Sequence, residues 1–200
     1  MTRIILATMN RGKVNEIQKL ISGKPYEMIS MKEAGISVAI VEDGTTFEEN
    51  ALIKADTISK LAGGIVIADD SGLVVDSMGG EPGIYSARFL GESATDEERC
   101  TGILKRLEGV PDEKRTARFV CAAAAVSPNF RITVMAAIEG IITREPTGSN
   151  GFGYDPIFYV PETGLTMAQM DSETKNRLSH RGKAFRALFE RLSKEESIPL

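Results

Sequence analysis

Gly64-Ile65-Val66-Ile67-Ala68-Asp69-Asp70-Ser71-Gly72-Leu73 reads as an apolar strand that runs into two adjacent carboxylates, a hydroxyl and a glycine. Asp and Ser are common at turns, so the same residues also suit a plain strand end. Burying one carboxylate is costly, and two side by side repel each other. A fold tolerates such a pair when a cation, or a metal carried by phosphate, occupies the site. Mg²⁺ fits, because one or two carboxylates hold it while substrate phosphate oxygens and water complete its octahedron. Asp69 and Asp70 are therefore candidate metal ligands. The strand continues through Val74-Val75 toward a turn at Gly79-Gly80-Glu81-Pro82-Gly83.

Before this stretch, residues 2–8 read as a buried strand, and Gly12 to Ile21 as a helix with Val14, Ile17, Leu20 and Ile21 on one face. Phe47, Ala51, Ala55, Ile58 and Ala62 recur at helical spacing, so 46–62 is a second helix. After it, Cys100, Ile103, Leu104 and Leu107 mark a third helix with a cap signal at Thr95-Asp96. Residues 115–127 and 130–144 read as long strands joined at Ser127-Pro128-Asn129. Ala168 to Asp171 suits a short helical turn, and Lys175 to Leu192 one final helix with Phe185, Leu188, Phe189 and Leu192 inward. Helices and strands mix without strict alternation, which favours an α/β fold with a long-stranded mixed sheet. There is no repeat or linker, and residues 1–200 read as a single domain.

The composition narrows the function. The hydrophobic fraction of 42% is that of a globular protein, and no run approaches the ~20 apolar residues of a membrane span. The apolar run Ile4 to Ala7 is too short for a secretory signal, which makes the cytoplasm the expected location. Cys100 and Cys121 lack metal-ligand spacing and read as thiols. A net charge of −4 offers no basic field for a nucleic-acid polymer, and the absence of Trp argues against a stacking groove for single strands. A small phosphorylated ligand, met by local Lys and Arg, remains open.

Two further segments suit such a ligand. Thr8-Met9-Asn10-Arg11-Gly12-Lys13 joins the first strand to the first helix, where backbone N–H groups and the helix dipole favour an anion. Thr8 and Asn10 add short polar side chains, Gly12 permits close approach, and Lys13 supplies a charge. It is not a Walker A sequence, since Val14 stands where Ser or Thr would bind the metal. A plain helix start with an exposed lysine is the alternative reading. Gly148 to Pro156 is glycine-rich; Phe152 can stack a flat ring and Asp155 can accept hydrogen bonds from it. Lys175, His180 and Arg181 follow, able to meet phosphates or a base carbonyl, although His180 also suits a surface and Tyr154 a core. Glu42, in the loop before the second helix, can reach a metal, while Glu48 and Glu49 suit the first turn of that helix.

Together these segments resemble the inosine/xanthosine triphosphate pyrophosphatase family, also called Ham1-like. The residues that carry the likeness are Thr8, Asn10, Lys13, Glu42, the Thr46-Phe47 and Asn50-Ala51 pairs, Asp69 to Leu73, Gly80, Pro82-Gly83, Tyr85 to Phe89, Gly151 to Pro156, and Ser179 to Arg181. They span Ile4 to about Leu192. The resemblance implies a long twisted mixed sheet with flanking helices, two lobes around a central nucleotide cleft, and a homodimer. It implies Mg²⁺-dependent hydrolysis of ITP, dITP and XTP to monophosphate and pyrophosphate, cleansing the nucleotide pool. It further implies that Thr8, Met9, Asn10, Arg11, Gly12 and Lys13 cradle the triphosphate, that Asp70 is proton acceptor and metal ligand, and that Glu42 and Asp69 support the metal. Ser71, Phe152, Gly153, Tyr154, Asp155, Lys175, His180 and Arg181 would contact the substrate. Met9 departs from the small residue usual there, and its side chain should point away from the phosphates. No site residue is expected in Val134 to Gly140.

Such residues suit phosphoanhydride hydrolysis on their own chemistry: a carboxylate to take a proton from water, and cations to neutralise the phosphates. A pocket that donates to a 6-oxo group rejects adenine, whose 6-amino group sets donor against donor. Pyrophosphatases for another modified nucleotide, phosphohydrolases releasing the γ-phosphate, and a non-catalytic nucleotide sensor are the alternatives.

Overall fold

Three runs, Ile4 to Ala7, Ile65 to Ala68 and Cys121 to Val126, are apolar at every position rather than at alternate ones. Strands of that kind are covered on both faces. The computed structural model describes residues 1–195; residues 196–200, which the single-domain reading included, lie outside the described residues. The runs fall in β1 (Thr2–Leu6), β3 (Ile65–Val75) and β4 (Thr116–Val126) of a seven-stranded mixed sheet. The other strands are β2 (Tyr26–Ser30), β5 (Arg131–Ile142), β6 (Phe158–Val160) and β7 (Leu165–Thr166), and the order is β2-β1-β3-β4-β5-β6-β7. β1 lies parallel to β2 and β3, with Ile4 opposite Ile65 and Leu6 opposite Ile67, whereas β6 is antiparallel to β5 and β7.

The helices are α1 (Arg11–Ile21), α2 (Phe47–Ala62), α3 (Asp96–Arg106), α4 (Ser172–Leu178) and α5 (His180–Leu192). α2 starts where Thr46 accepts from the Glu49 N–H at 3.1 Å and Glu49 returns its carboxylate to the Thr45 N–H at 2.6 Å. Thr95 and Glu98 form a complete capping box on α3. The expected single helix from Lys175 to Leu192 is two, because Ser179 is extended (φ −63°, ψ 155°) and breaks the spiral. Residues 168–171 make turns rather than a helix, and Asp171 caps α4 instead. β2, β6 and β7 were not anticipated; β6 and β7 are too short for a period-two signal.

Among the described residues the chain divides into two compact units: Met1–Asp70, Cys121–Ala136 and residues 181–195 make the first, and Ser71–Val120 with Ala137–His180 the second. In the first, one core holds Ile4, Leu6, Ile65, Ile67, Cys121 and Ala123 beneath Ile17 of α1 and Phe185 and Phe189 of α5. The alternate residues Ile5, Ala7, Val66, Ala68, Ala122 and Ala124 make a second core beneath Ala51, Ala55 and Ile58 of α2. The second unit has one core around Leu73, Val75, Ile103, Phe119, Ile138 and Phe158. There the buried Arg115 donates to the carbonyls of Leu107, Ile142 and Thr143 at 2.7–2.8 Å, satisfying its fork without a carboxylate.

Candidate functional site

The period of two that separates the two cores of the first unit also separates Asp69 from Asp70. β3 runs straight through them, so they lie within the strand and not at its end. Asp69 follows Ile65 and Ile67 onto the α1/α5 face, where Lys13 Nζ lies 2.9 Å and Arg181 Nε 3.3 Å from its Oδ2. Asp70 follows Val66 and Ala68 onto the α2 face, where Lys54 Nζ lies 3.0 Å from Oδ1 and Asn50 Nδ2 donates to Oδ2 at 3.3 Å. The two carboxylates therefore do not confront each other, as their adjacency in sequence had suggested. Asp69 pairs with Lys13 and Arg181, and Asp70 with Lys54.

The two sides differ electrostatically. Asp69 is fully buried as a side chain and shared by two cations, and Arg181 in turn reaches Glu16 Oε2 at 2.6 Å. Burial opposes the charge on Arg181, but Asp69 and Glu16 outweigh it and hold the guanidinium above its usual proton affinity. On the α2 side, Lys54 also meets Glu42 Oε2 at 2.7 Å. Desolvation pushes the Asp70 carboxyl above its ordinary value, with Lys54 and Lys13 only partly offsetting it. Lys54 stays charged: burial works against it, and Asp70, Asp69 and Glu42 more than compensate. Glu42 and Asp70 thus converge on one cationic position. Asn50 ties this arrangement to the loop, since its Oδ1 accepts from the Gly44 N–H at 2.9 Å.

Residues 8–13 form a strand-to-helix junction as expected. Asn10 caps α1, its Oδ1 accepting from the Lys13 N–H at 3.1 Å, and Thr8 Oγ1 accepts from the Asn10 N–H at 3.2 Å. Arg11 and Gly12 occupy the first turn, and the Met9 side chain stands out in solvent, 77% exposed.

The second unit carries the other set. Ser71 is half-buried in β3 directly after Asp70. Asp155 Oδ2 receives Lys175 Nζ at 2.6 Å and the Phe152 N–H at 2.9 Å. Lys175 Nζ also lies 4.9 Å from the centre of the Phe152 ring. Gly151 makes room for this knot: at its φ of +79°, a β-carbon would stand 2.0 Å from Asp155 Oδ2. Tyr154 is buried, and its hydroxyl donates to the Ser86 carbonyl at 2.8 Å, so it braces the loop from the core. Burial raises its phenol well above the ordinary value. His180 is buried and stacked on Phe119, with ring centres 4.8 Å apart, and is not a surface residue. Although adjacent in sequence, His180 and Arg181 belong to different units.

Lys54, Asn50 in its contact with Asp70, Glu16 and Asp96 escaped the sequence reading. Lys54 had a visible signal: it is a charge set within the buried stripe Ala51, Ala55 and Ile58 of α2. Asp96 accepts from the Gly153 N–H at 2.7 Å, a link across 57 positions that local spacing does not reveal.

Comparison with known proteins identifies the family. A dITP/XTP pyrophosphatase of Bacillus licheniformis is 50% identical over 189 residues, covering 94% of this chain and 96% of that protein. One of Geobacter sulfurreducens is 47% identical over 193 residues, covering 96% and 97%. The solved structure of a HAM1 protein from Coxiella burnetii superposes with a TM-score of 0.89 at 41% identity, over 98% of this chain and 100% of that one. Residues 4–191 match the Ham1 family, and the chain belongs to that family.

Proposed function

We propose that this protein hydrolyses deaminated purine nucleoside triphosphates, ITP, dITP and XTP, to the monophosphate and pyrophosphate. The observation that carries the reading is the convergence of Glu42 and Asp70 on one cationic position, with the Asp70 proton affinity raised by burial. Its substrate class is supported by the dITP/XTP pyrophosphatases that cover nearly the whole chain at about half identity.

Two oxygen donors already gathered on the Lys54 ammonium suit a hard divalent cation. Among the described residues no cluster of three or more His, Cys, Asp or Glu makes an all-protein cage. Mg²⁺ is commonly held by one or two carboxylates together with substrate phosphates. Glu42 and Asp70 would hold the ion, and Asp69, shared by Lys13 and Arg181, acts chiefly by fixing those cations. When bound, Mg²⁺ supplies positive charge to the phosphate oxygens and acidifies water.

The chain's own residues do the rest. The N–H groups at the start of α1, with Thr8, Met9, Asn10, Arg11 and Gly12, receive the triphosphate. Lys13 has three donors, so it can hold Asp69 and a phosphate oxygen together. Asp70 takes the proton of the attacking water, positioned by Lys54 on Oδ1 and Asn50 on Oδ2. Ser71 contacts the substrate. Phe152 offers a half-exposed ring for stacking, Gly153, Tyr154 and Asp155 shape the base loop, and Lys175, His180 and Arg181 complete recognition of base and phosphate. Residues 1–200 act as one catalytic domain, a view supported by the unbroken family match over 4–191. The same proposal includes a homodimer, a cytoplasmic location and no nucleic-acid polymer as partner. The net charge of −4 supports the last point. No helix is long and apolar enough to cross a membrane among the described residues.

The test is product analysis for ITP, dITP, XTP, GTP and ATP, with Mg²⁺ and with EDTA. Metal-dependent release of pyrophosphate and monophosphate from the deaminated purines is the expected result. Orthophosphate release, or equal turnover of ATP, overturns it.

A further inference from the structure

Gly153 lies between the Phe152 ring and the Tyr154–Asp155 pair, in the left-handed region at φ +63°. A peptide there has no regular secondary structure to hold it, so its N–H and C=O need other partners. Both come from α3. Asp96 Oδ2 accepts from the Gly153 N–H at 2.7 Å, and the Cys100 thiol donates to the Gly153 carbonyl with Sγ 3.4 Å away. Asp96 and Cys100 are four residues apart and share one face of the helix. Asp96 is itself steered by Arg99 NH1 at 3.4 Å, and Arg99 is anchored on the carbonyls of Phe89 and Gly91 at 3.2 and 3.3 Å. The Cys100 thiol is buried and pushed up to about 12 by desolvation first, then by Asp96 and Asp155. It is therefore a neutral hydrogen-bond donor at working pH, not a nucleophile.

We infer that Asp96 and Cys100 are positioning residues for base recognition: by gripping both polar groups of Gly153 they fix the angle at which Phe152 presents its ring. The inference rests on the reading of 152–155 as the base loop. Around them, the Phe152 N–H donates to Asp155 Oδ2 and the Asp155 N–H to the Phe152 carbonyl at 3.4 Å, Lys175 holds Asp155, and Tyr154 is tied to Ser86, but none of these contacts reaches the N–H or C=O of Gly153. With that grip lost, the Gly153 peptide turns and the angle of the adjoining Phe152 ring changes with it. Loss of the grip should weaken selection of the base more than it slows chemistry.

The experiment compares ITP and ATP kinetics for the wild type, Asp96→Ala, Asp96→Asn, Cys100→Ala and Cys100→Ser, alongside amide exchange at Gly153. Asp96→Ala should raise the KM for ITP about tenfold or more, the scale of a lost bond to a charged group, with kcat within about twofold. Its ITP-to-ATP preference should fall and Gly153 exchange should quicken. Asp96→Asn keeps an acceptor oxygen and Cys100→Ser a donor, so both should recover most of the effect of the corresponding alanine variant. If Asp96→Ala has wild-type KM, selectivity and exchange, the inference is overturned. It is overturned equally if kcat falls as far as KM rises and Asp96→Asn gives no recovery. A wild type inert toward every triphosphate removes the base-loop reading itself, and that outcome is visible before any substitution is made.

Discussion

Replacing each of the adjacent carboxylates by its amide should have unequal consequences for stability. Asp69→Asn removes a fully buried charge that Lys13 and Arg181 share, and leaves the amide's N–H₂ or a single carbonyl facing two cations. Breaking a buried pair from one side costs about 3–5 kcal/mol. For a chain of this size each kcal/mol moves Tm by about 2–4 °C, so the expected fall is about 6–20 °C. Asp70→Asn acts on a group whose folded-state proton affinity is raised by burial. A carboxyl of that kind favours folding while protonated, and the contribution is lost as pH rises through the folded value. At pH 7 burial opposes its ionised form, which lightens the loss, although the amide takes one partner from the buried Lys54 and leaves it Glu42 and the more distant Asp69; the net fall should be smaller than at Asp69. The difference between Asp70→Asn and wild type should shrink as pH drops toward the carboxyl range. Thermal melts of both variants in EDTA, at pH 7 and pH 5, measure this directly. Equal losses at the two positions would refute the assignment of the carboxylates to opposite faces with separate partners.

Gly151→Ala should raise the KM for ITP and lower Tm, since its β-carbon would stand 2.0 Å from Asp155 Oδ2 and 3.0 Å from Lys175 Nζ; unchanged kinetics would show that the knot does not shape the base loop. Cys100, pushed up to about 12, and the fully buried Cys121 should both resist a thiol reagent at pH 8 in the native protein and react on denaturation. Rapid labelling of either in the native state counts against this packing. Glu33, Glu98 and Asp171 accept backbone N–H bonds, chiefly from Ser30, Thr95 and Thr174, and Glu49 accepts first from the Thr45 hydroxyl and then from its N–H, so their proton affinities are lowered. Their contribution to stability is present above the ordinary carboxyl range and should disappear as pH falls through their depressed values, read as a drop in helical signal on acid titration.

The parts of the fold that local patterns dictate were legible. Phe47, Ala51, Ala55 and Ile58 announced α2, Thr46 and Thr95 sit at helix starts where capping chemistry puts them, and β3 followed from its apolar run. Ser179 was not legible as a break, because the apolar face continues through Phe185 and Phe189 and periodicity alone does not register one extended residue. The sequence offered the candidate site as separate residues and hid the pairs they form. Lys13, Asp69 and Arg181 were each singled out, yet their mutual ion pairs depend on α1, β3 and α5 meeting on one face of the sheet. Glu16 joins Arg181 across 165 positions, and nothing near either residue signals the other. The opposite facing of Asp69 and Asp70 did follow from strand periodicity. The expectation of repulsion gave that geometry too little weight.

Asp70, rather than Asp69, is proposed as the carboxylate that takes the proton from water. This role is tested most directly by the turnover of ITP by Asp70→Asn with Mg²⁺, set beside ITP binding by calorimetry. Binding should stay close to wild type and pyrophosphate release slow by about 10²–10⁴-fold, the range for loss of a general base. Turnover within a few-fold of wild type in a variant that still binds ITP would contradict it.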